Sequence, residues 1–370
     1  QKINQDGPKK ILALDGGGIR GMITIEILKK IEDLLRKKTG GKEKFVLADY
    51  FDYISGTSTG AIIAAALSLG WSVDKIRKFY INSGEQMFDK ASLLKKFKYQ
   101  YEDEALKDML KKEFGARTTL GSEKLKTLLM MVMRNSTTDS PWPVSNNPGA
   151  KYNLRKRNDC NLNLPLWQLV RASTAAPVYF PPEKVRIGKH DFVFVDGGIT
   201  TYNNPSFQTF LMATLGPYNL GWETGEDRLL IVSIGTGTSP DANADLSPNQ
   251  MNLLYNASSL PSALMFAALN EQDLLCRAFG NCLCGDELDG EVGDLIDKKG
   301  ILKRPVTSKL FTYVRYNAEL SREGLDNLGL TKIKPEDVQK LDSVANIKEL
   351  QRVGQAVAKK VTEAHFSKFV

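Results

Sequence analysis

Histidine is nearly absent from this sequence, and cysteine is scarce. Its 370 residues include two histidines, His190 and His365, and four cysteines, Cys160, Cys276, Cys282 and Cys284. So few cysteines in a chain of this length exclude the disulfide framework of a small secreted protein. The last three cysteines also lack the C-x2-C spacing of structural zinc sites. We therefore expect free, partly buried thiols in a reducing compartment and no metal site.

Long apolar runs are missing too. A membrane-spanning helix requires roughly 18 apolar residues, whereas the longest run, residues 61–69, is much shorter and contains Ser68. No secretory signal is visible, although the start at Gln1 rather than Met leaves a processed beginning open. The sequence therefore predicts a cytoplasmic protein that does not span a membrane.

The composition is that of an ordinary globular protein, with 42% hydrophobic and 25% charged residues. The formal net charge of +7 favours contact with anionic surfaces such as phospholipid headgroups, although proteins that bind nothing anionic often carry as much. No RNA-recognition, zinc-finger or helix-turn-helix pattern accompanies the charge, so we expect no nucleic-acid partner.

The first 70 residues alternate between strand and helix patterns. Residues 10–15 form an apolar run typical of a buried strand, and residues 22–38 have the apolar spacing of an amphipathic helix. A second strand pattern at residues 50–55 leads into a helix of small residues from Ala61. Strands that alternate with helices predict an α/β fold, with a parallel sheet and helices on its faces.

The same patterns predict the elements that follow. They are a helix at residues 122–134 with a Leu/Met stripe, a turn-rich loop at 135–148, a helix at 165–175, a strand at 192–195, a helix at 206–215, strands at 229–234 and 310–316, and a terminal helix at 347–368. No linker or internal repeat divides the chain.

Three motifs occur where predicted strands end. The stretch ILALDGGGIRG (residues 11–21) runs from a strand into three glycines, GTSTG (56–60) follows the second strand, and DGG (196–198) follows the strand at 192–195. The carboxyl ends of strands in an open parallel sheet face one crevice, where such folds bind ligands. We therefore expect the three motifs to meet in space.

GTSTG fits the G-x-S-x-G pattern of a nucleophile elbow, which carries a serine between a strand and a helix. A serine on so tight a turn needs small neighbours two positions away on either side, and Gly56 and Gly60 provide them. The N-terminus of the following helix stabilises negative charge near the serine oxygen. These features predict Ser58 as a nucleophile.

A serine nucleophile needs a base, and the shortage of histidine restricts the choice. His365 lies in a charged terminal segment that predicts a surface position, and the hairpin-like stretch around His190 predicts a structural role. Asp196 ends a strand and precedes two glycines, so it is well placed to accept the proton of Ser58. A Ser58–Asp196 dyad fits better than a triad, although a Ser–His–Asp esterase that uses His365 remains an alternative.

The glycines of DGGGIRG are suited to holding negative charge. An aspartate is a weak base for a hydroxyl, so the oxyanion needs strong stabilisation, and preorganised N–H donors typically contribute about 3 kcal/mol each. Glycine backbones allow the N–H groups of Gly16, Gly17 and Gly18 to converge. Arg20 would either steady the loop or meet anionic groups of the substrate.

The same letters also fit the G-x-G-x-x-G fingerprint of a dinucleotide-binding loop, which expects an acidic residue about 20 positions later at the end of the second strand. Glu32 and Asp33 fall inside the first predicted helix instead, and Asp49 precedes its strand. A nucleotide-binding protein that uses DGGGIRG as a phosphate loop is an alternative, but it leaves Ser58 and Asp196 unexplained.

Together these motifs resemble the patatin-like phospholipase family. The matching pieces, in the family's order, are DGGGIRG (15–21), GTSTG (56–60), ASTAAPVYFPP (172–182) and DGG (196–198), and LADYFDYISGTSTG (47–60) resembles the surroundings of the family's nucleophile. The resemblance implies a three-layer α/β/α fold with a mostly parallel central sheet, in one catalytic domain over residues 1–370. The motif-bearing core covers about residues 10–240, and a helical C-terminal extension covers about residues 247–370.

The resemblance also implies cofactor-free hydrolysis of fatty-acyl esters in phospholipids or lysophospholipids at a membrane surface. Ser58 would be the nucleophile and Asp196 the base, and the oxyanion loop would comprise Gly16, Gly17, Gly18 and Arg20. The stretches DGGITTYNNP (196–205) and CRAFGNCLCGDELDGEVGDL (276–295) resemble bacterial members more than plant storage patatins. Some bacterial relatives are anti-phage effectors that degrade membrane lipids once a cyclic nucleotide activates them. An activator of that class is therefore a further expectation, although the sequence shows no nucleotide pocket and sets no oligomeric state.

Overall fold

A nine-stranded sheet lies at the centre of the molecule. The computed structural model describes residues 3, 5–41, 44–88, 99–177, 180–239, 253–288, 297, 301–303, 306 and 308–370. The strands are β1 (Lys9–Leu14), β2 (Tyr53–Thr57), β3 (Leu128–Asn135), β4 (Ser140–Ser145), β5 (Glu183–Ile187), β6 (His190–Asp196), β7 (Leu229–Ile234), β8 (Gly280–Cys284) and β9 (Phe311–Tyr316).

The sheet is mostly parallel. Its strand order is β5-β6-β3-β2-β1-β7-β9-β8, and β4 also pairs with β3. The strands from β3 through β2, β1, β7 and β9 to β8 run parallel to one another. Only the hairpin side differs, because β4 and β6 run antiparallel to β3, and β5 runs antiparallel to β6.

Helices cover both faces of the sheet. They are α1 (Gly21–Lys38), α2 (Leu47–Tyr50), α3 (Thr59–Ser68), α4 (Val73–Phe88), α5 (Tyr99–Phe114), α6 (Leu166–Ser173), α7 (Ser206–Thr214), α8 (Leu253–Phe279), α9 (Arg322–Asn327), α10 (Pro335–Gln339) and α11 (Ile347–Ala358).

Two apolar cores, one on each face, hold these helices to the sheet. Side chains alternate along a strand, so Leu12 of β1 joins the larger core with Ile23 of α1 and Val353 of α11. Its neighbour Ile11 joins the smaller core with Phe210 of α7. Burial on both faces makes three layers, which confirms the predicted α/β fold with a mostly parallel central sheet.

The segment predicted as a helix at residues 122–134 contains no helix, and from Leu128 onwards it forms the strand β3. Residues 128–133 of β3 are fully buried, since β3 lies inside the sheet with a core on each side. A short apolar run of this kind does not distinguish a buried strand from a buried helix. The predicted loop at residues 135–148 was also wrong, because it contains β4, whose Pro141 and Pro143 are compatible with a strand at an edge.

The C-terminal part of the chain is more than a helical extension. It adds β8 and β9 to the sheet, and α11 packs against α1. The predicted terminal helix ends at Ala358 and is followed by a 3-10 turn, Glu363–Phe369. The predicted boundary near residue 247 lies outside the described residues.

His365 does not occupy the predicted surface position. It is half-buried, and its Nδ1 lies 2.7 Å from the hydroxyl oxygen of Tyr316. Burial lowers the pKa of His365 below its usual value. Within the described parts of the chain, we find no helix with both the length and the apolar character needed to cross a bilayer.

Candidate active site

Ser58 and Asp196, which are distant in sequence, are in direct contact. Ser58 stands between β2 and α3, and its hydroxyl donates a hydrogen bond of 2.6 Å to Oδ2 of Asp196. Its backbone has φ +53° and ψ −121°, a conformation that L-residues with side chains rarely adopt. The tight turn points the Ser58 side chain out of the strand and towards the carboxylate.

The glycines of GTSTG are required by close backbone packing. A Cβ atom on Gly56 would lie 2.1 Å from the carbonyl oxygen of Gly60. A Cβ atom on Gly60 would lie 2.3 Å from the carbonyl oxygen of Leu14, at the end of β1. A side chain on Gly56 would therefore push against the start of α3, and one on Gly60 would push the turn away from β1. Either change would alter the direction of Ser58.

Asp196 reaches the crevice by a route that differs from the predicted one. The expectation was that β6 ends beside the parallel strands, but β6 runs antiparallel to β3. Its pairing with β3 is confined to the last three residues of β3, and Asp196 lies opposite Met133. Asp196 is thus placed one residue beyond the last β2–β3 pair, Thr57 and Val132, and next to Ser58. The two motifs meet although β6 runs antiparallel to β3.

Hydrogen bonds fix the Asp196 carboxylate on both sides. Oδ2 accepts the Ser58 hydroxyl proton, and Oδ1 accepts the backbone N–H of Gly198 at 2.6 Å. Burial raises the pKa of Asp196 to about 6, and the Ser58 hydroxyl, the Gly198 N–H and the charge of Arg171 oppose that rise. The carboxylate is thus ionised at neutral pH. Its pKa is closer to neutrality than the pKa of an exposed aspartate, which suits a general base.

Two of the three glycine N–H groups predicted as oxyanion donors are open. The Gly16 N–H donates to the carbonyl oxygen of Asn203 at 3.2 Å, so this donor is already engaged. The N–H groups of Gly17 and Gly18 have no acceptor among the residues that the structure describes. The absence of a side chain on Gly16 instead lets the loop lie close to Ser58, because a Cβ atom on Gly16 would lie 3.2 Å from Cβ of Ser58.

Arg20 contacts the C-terminal part of the chain. Its Nη1 donates to the carbonyl oxygen of Gln339 at 3.1 Å. The preceding residue, Ile19, donates its backbone N–H to the carbonyl oxygen of Leu341 at 2.9 Å. Burial lowers the pKa of Arg20 to about 10. Of the two roles left open by the sequence, these contacts match the steadying of the loop.

A buried ion pair beneath the glycine loop was missed by sequence reasoning. The Arg315 guanidinium donates to both carboxylate oxygens of Asp15, at 2.9 and 2.6 Å, and to the hydroxyl of Ser233 at 2.7 Å. Arg315 belongs to β9, and an arginine within the apolar run FTYVRY was the only available signal. Nothing in the sequence indicated that its partner is Asp15.

Two further residues position the motifs and were also missed. Asn203 accepts the Gly16 N–H through its carbonyl, and its side-chain oxygen stands where a Cβ atom of Gly16 would have to be. Ser173, at the end of α6, accepts the backbone N–H of Ser58 at 3.0 Å. Both lie in stretches that carry the resemblance, DGGITTYNNP and ASTAAPVYFPP, which was the only sequence signal for them.

The cysteines form no disulfide. All four are free, and Cys160, Cys276 and Cys282 are buried. Burial raises the pKa of Cys282 to about 12, so its thiol is protonated at neutral pH. Over the described ranges, no cluster of three or more His, Cys, Asp or Glu side chains is arranged to hold a metal ion.

Comparison with known protein sequences identifies a family and several relatives. The model of the family described as "Patatin-like phospholipase" matches residues 12–209. The mouse 85/88 kDa calcium-independent phospholipase A2 is 30% identical over 247 residues, which cover 62% of this chain and 27% of that protein. Patatin-T5 of Solanum tuberosum is 26% identical over 341 residues, which cover 79% of this chain and 84% of that protein. The chain therefore spans only about a quarter of the mouse enzyme, but most of the patatin.

Two solved structures are also similar. Human GIVD cytosolic phospholipase A2 has a TM-score of 0.45 and 12% identity, over 98% of this chain and 60% of that one. VipD from Legionella pneumophila has a TM-score of 0.37 and 16% identity, over 94% of this chain and 67% of that one.

Proposed function

The chain belongs to the patatin-like phospholipase family, and from this premise we propose that it is a lipid acyl hydrolase that cleaves fatty-acyl esters of membrane phospholipids or lysophospholipids. The observation that carries the proposal is the 2.6 Å hydrogen bond from the Ser58 hydroxyl to Asp196. Ser58 acts as nucleophile and Asp196 as its base.

In the first half of the reaction, Ser58 Oγ attacks the carbonyl carbon of the acyl ester, and Oδ2 of Asp196 takes the hydroxyl proton. The carbonyl oxygen becomes an oxyanion, which the free N–H groups of Gly17 and Gly18 stabilise. The C–O bond to the glycerol then breaks, and protonated Asp196 gives its proton to the departing alkoxide. An acyl-Ser58 ester remains, and a lysophospholipid or glycerophosphodiester leaves.

In the second half, water attacks the acyl-Ser58 carbonyl while Asp196 takes one of its protons. Collapse of the second oxyanion breaks the bond to Ser58 Oγ, which recovers a proton from Asp196. The fatty acid is released, and the net reaction is ester plus water to acid plus alcohol. One carboxylate thus serves both halves as base and then acid.

The positions of the two histidines favour this dyad over a triad. His365 is hydrogen-bonded to Tyr316, and His190 stands exposed at the start of β6, the end of that strand opposite to Asp196. We expect His365→Ala to retain the acyl-hydrolase activity and to lower only the melting temperature, because a partly buried hydrogen bond is lost. Loss of activity in this variant would support the Ser–His–Asp esterase.

The phosphate-loop alternative has less support. A pyrophosphate would need the N–H groups at the start of the helix that follows the glycines, but the Ile19 N–H already donates to Leu341. The strand β2 ends in the Ser58 turn, so it places no acidic side chain where a ribose would lie.

The test is release of fatty acid from mixed phospholipid vesicles, with products identified by mass spectrometry. We expect Ser58→Ala and Asp196→Ala each to abolish release, and EDTA or calcium to change it little. The matched control is Ser68→Ala, which removes another buried serine hydroxyl. Full activity in either dyad variant, or strict dependence on calcium, would contradict the proposal. The positions and chain lengths of the products define the substrate preference.

We further propose a biological role as a regulated effector. The resemblance of residues 196–205 and 276–295 to bacterial members supports a membrane-degrading effector with a cyclic nucleotide as activator. Calorimetry with cyclic dinucleotides, NAD and ATP tests this role. Binding that stimulates lipid cleavage supports the effector, whereas binding that blocks a fluorophosphonate label at Ser58 supports the phosphate-loop alternative. Absence of binding counts against both.

We also propose a domain organisation and a location for this protein. Residues 1–370 act as one catalytic domain, supported by β8 and β9 in the sheet and by the contacts of Gln339 and Leu341 with the glycine loop. The four free cysteines support a reducing location, from which the protein acts at the membrane surface. A chain truncated at residue 240 should therefore lack activity.

A further inference from the structure

Ser173 bridges the candidate nucleophile and the end of a neighbouring strand. It is fully buried at the last residue of α6. Its hydroxyl oxygen accepts the backbone N–H of Ser58 at 3.0 Å and donates its own proton to the carbonyl oxygen of Val132 at 2.5 Å. The Ser173 hydroxyl therefore accepts from the residue that follows β2 and donates to a carbonyl of β3.

The position of this bridge explains how the chain can leave β2 so abruptly. The parallel pairing of β2 with β3 ends at Thr57 and Val132. Beyond that pair the Ser58 N–H and the Val132 carbonyl no longer meet directly, and the Ser173 hydroxyl connects them. Without the Ser173 hydroxyl, the buried N–H of Ser58 would lack an acceptor at a residue whose backbone is already strained.

The same turn also holds the other half of the dyad. The carbonyl oxygen of Ala175, two residues after Ser173, accepts the backbone N–H of Asp196 at 2.9 Å. One short segment, residues 173–175, therefore contacts Ser58 and Asp196 through their backbones. The distance between Ser58 Oγ and Asp196 Oδ2 depends on this segment.

We propose that Ser173 is a positioning residue for the acyl-transfer reaction: its hydroxyl holds Ser58 in the conformation that aims Oγ at Asp196. It also engages the Ser58 N–H, which leaves the oxyanion to Gly17 and Gly18. This inference rests on the proposed function, because it assigns Ser173 a task only if Ser58 is the nucleophile.

The test compares Ser173→Ala with Ser68→Ala and wild type in steady-state hydrolysis of a short-chain phospholipid across pH. Ser68 is a suitable control because it is a buried serine at the end of α3 whose hydroxyl pairs with Thr127, away from the dyad. For Ser173→Ala we expect kcat to fall about 10- to 100-fold with KM nearly unchanged, since small displacements of reacting groups have effects of that size.

The pH profile separates positioning from a general loss of stability. The hydrogen bond from Ser58 lowers the pKa of Asp196, so loosening Ser58 should move the acid limb of the profile to higher pH. An unchanged acid limb, with a kcat no lower than that of Ser68→Ala, would overturn the inference. If Ser173→Ala does not fold, Ser173→Cys replaces it, with the same expected directions and smaller effects.

The wild-type protein provides the check on the underlying function. Suppose that the wild type hydrolyses phospholipid and is labelled by a fluorophosphonate at Ser58, while Ser173→Ala and Ser68→Ala have the same kcat and pH profile. That result would contradict only the role of Ser173. Absence of both in the wild type would contradict the proposed function itself.

Discussion

Arg315 and Asp15 form a buried, two-bond ion pair although they are 300 positions apart in the sequence. Asp15 directly precedes the three glycines, and Arg315 lies in β9, so the pair joins the candidate oxyanion loop to the C-terminal part of the chain. The contacts of Ile19 with Leu341 and of Arg20 with Gln339 strengthen the same connection. The shape of the glycine loop therefore depends on residues far outside the motif.

Replacing Arg315 by Met should destabilise the protein by about 3–5 kcal/mol, because it leaves the Asp15 carboxylate buried without its partner. Burial raises the pKa of Asp15 and Arg315 opposes that rise, so the loss should grow as the pH increases. Urea unfolding at pH 5 and pH 8 measures it. Asp15→Asn combined with Arg315→Met should recover part of the loss, and equal losses in the double and single variants would show that the charge is not the cause.

The rate should depend on pH through Asp196. Its pKa is raised to about 6 by burial, and only the ionised carboxylate can accept the Ser58 proton. We therefore expect kcat/KM to be constant above about pH 7 and to fall about tenfold per pH unit well below 6. Initial rates on a soluble short-chain ester between pH 4 and pH 9 provide the profile. A limb centred near pH 4, the value of an exposed aspartate, would contradict the assignment.

Asp196→Asn should abolish activity and at the same time stabilise the protein at alkaline pH. A folded-state pKa above that of the unfolded chain means that wild type loses stability as the pH rises from about 4 to about 6. The asparagine variant does not ionise, so its free energy of unfolding should equal that of wild type at pH 4. At pH 8 it should exceed that of wild type by up to about 3 kcal/mol, because the pKa of Asp196 rises from 3.8 to about 6 on folding. Thermal or urea unfolding at the two values checks this, and an equal difference at both would argue against a buried carboxylate.

Gly17→Ala should reduce kcat about 100-fold or more, the effect of removing one oxyanion donor. The added Cβ atom would lie 2.1 Å from the hydroxyl oxygen of Thr236, so the loop must shift and its N–H with it. Gly216→Ala is the control, because a Cβ atom there meets nothing within 4 Å. Similar turnover in the two variants would exclude Gly17 from the oxyanion site.

Local patterns in the sequence were sufficient for five of the nine strands of the sheet and for the glycine-rich turns. The strands at residues 229–234 and 310–316 were predicted nearly to the residue, because parallel strands covered on both faces are continuously apolar. The Leu/Met segment of β3 failed for the same reason, since continuous burial removes the periodicity that separates strand from helix. The antiparallel direction of β6 has no local signature either, because direction depends on which strand it pairs with.

The sequence by itself determined that Ser58 sits on a tight turn between a strand and a helix, and that histidine is too scarce for an obvious triad. These properties depend on residue size and spacing within a few positions, which the sequence states directly. Only the tertiary structure decided which groups surround that turn: Asp196 at 2.6 Å, Ser173 on the Ser58 N–H, Asn203 on the Gly16 N–H, and Arg315 on Asp15. Those contacts join residues that lie between 115 and 300 positions apart. They arise from strand order and helix packing, which depend on the free energy of the whole folded chain.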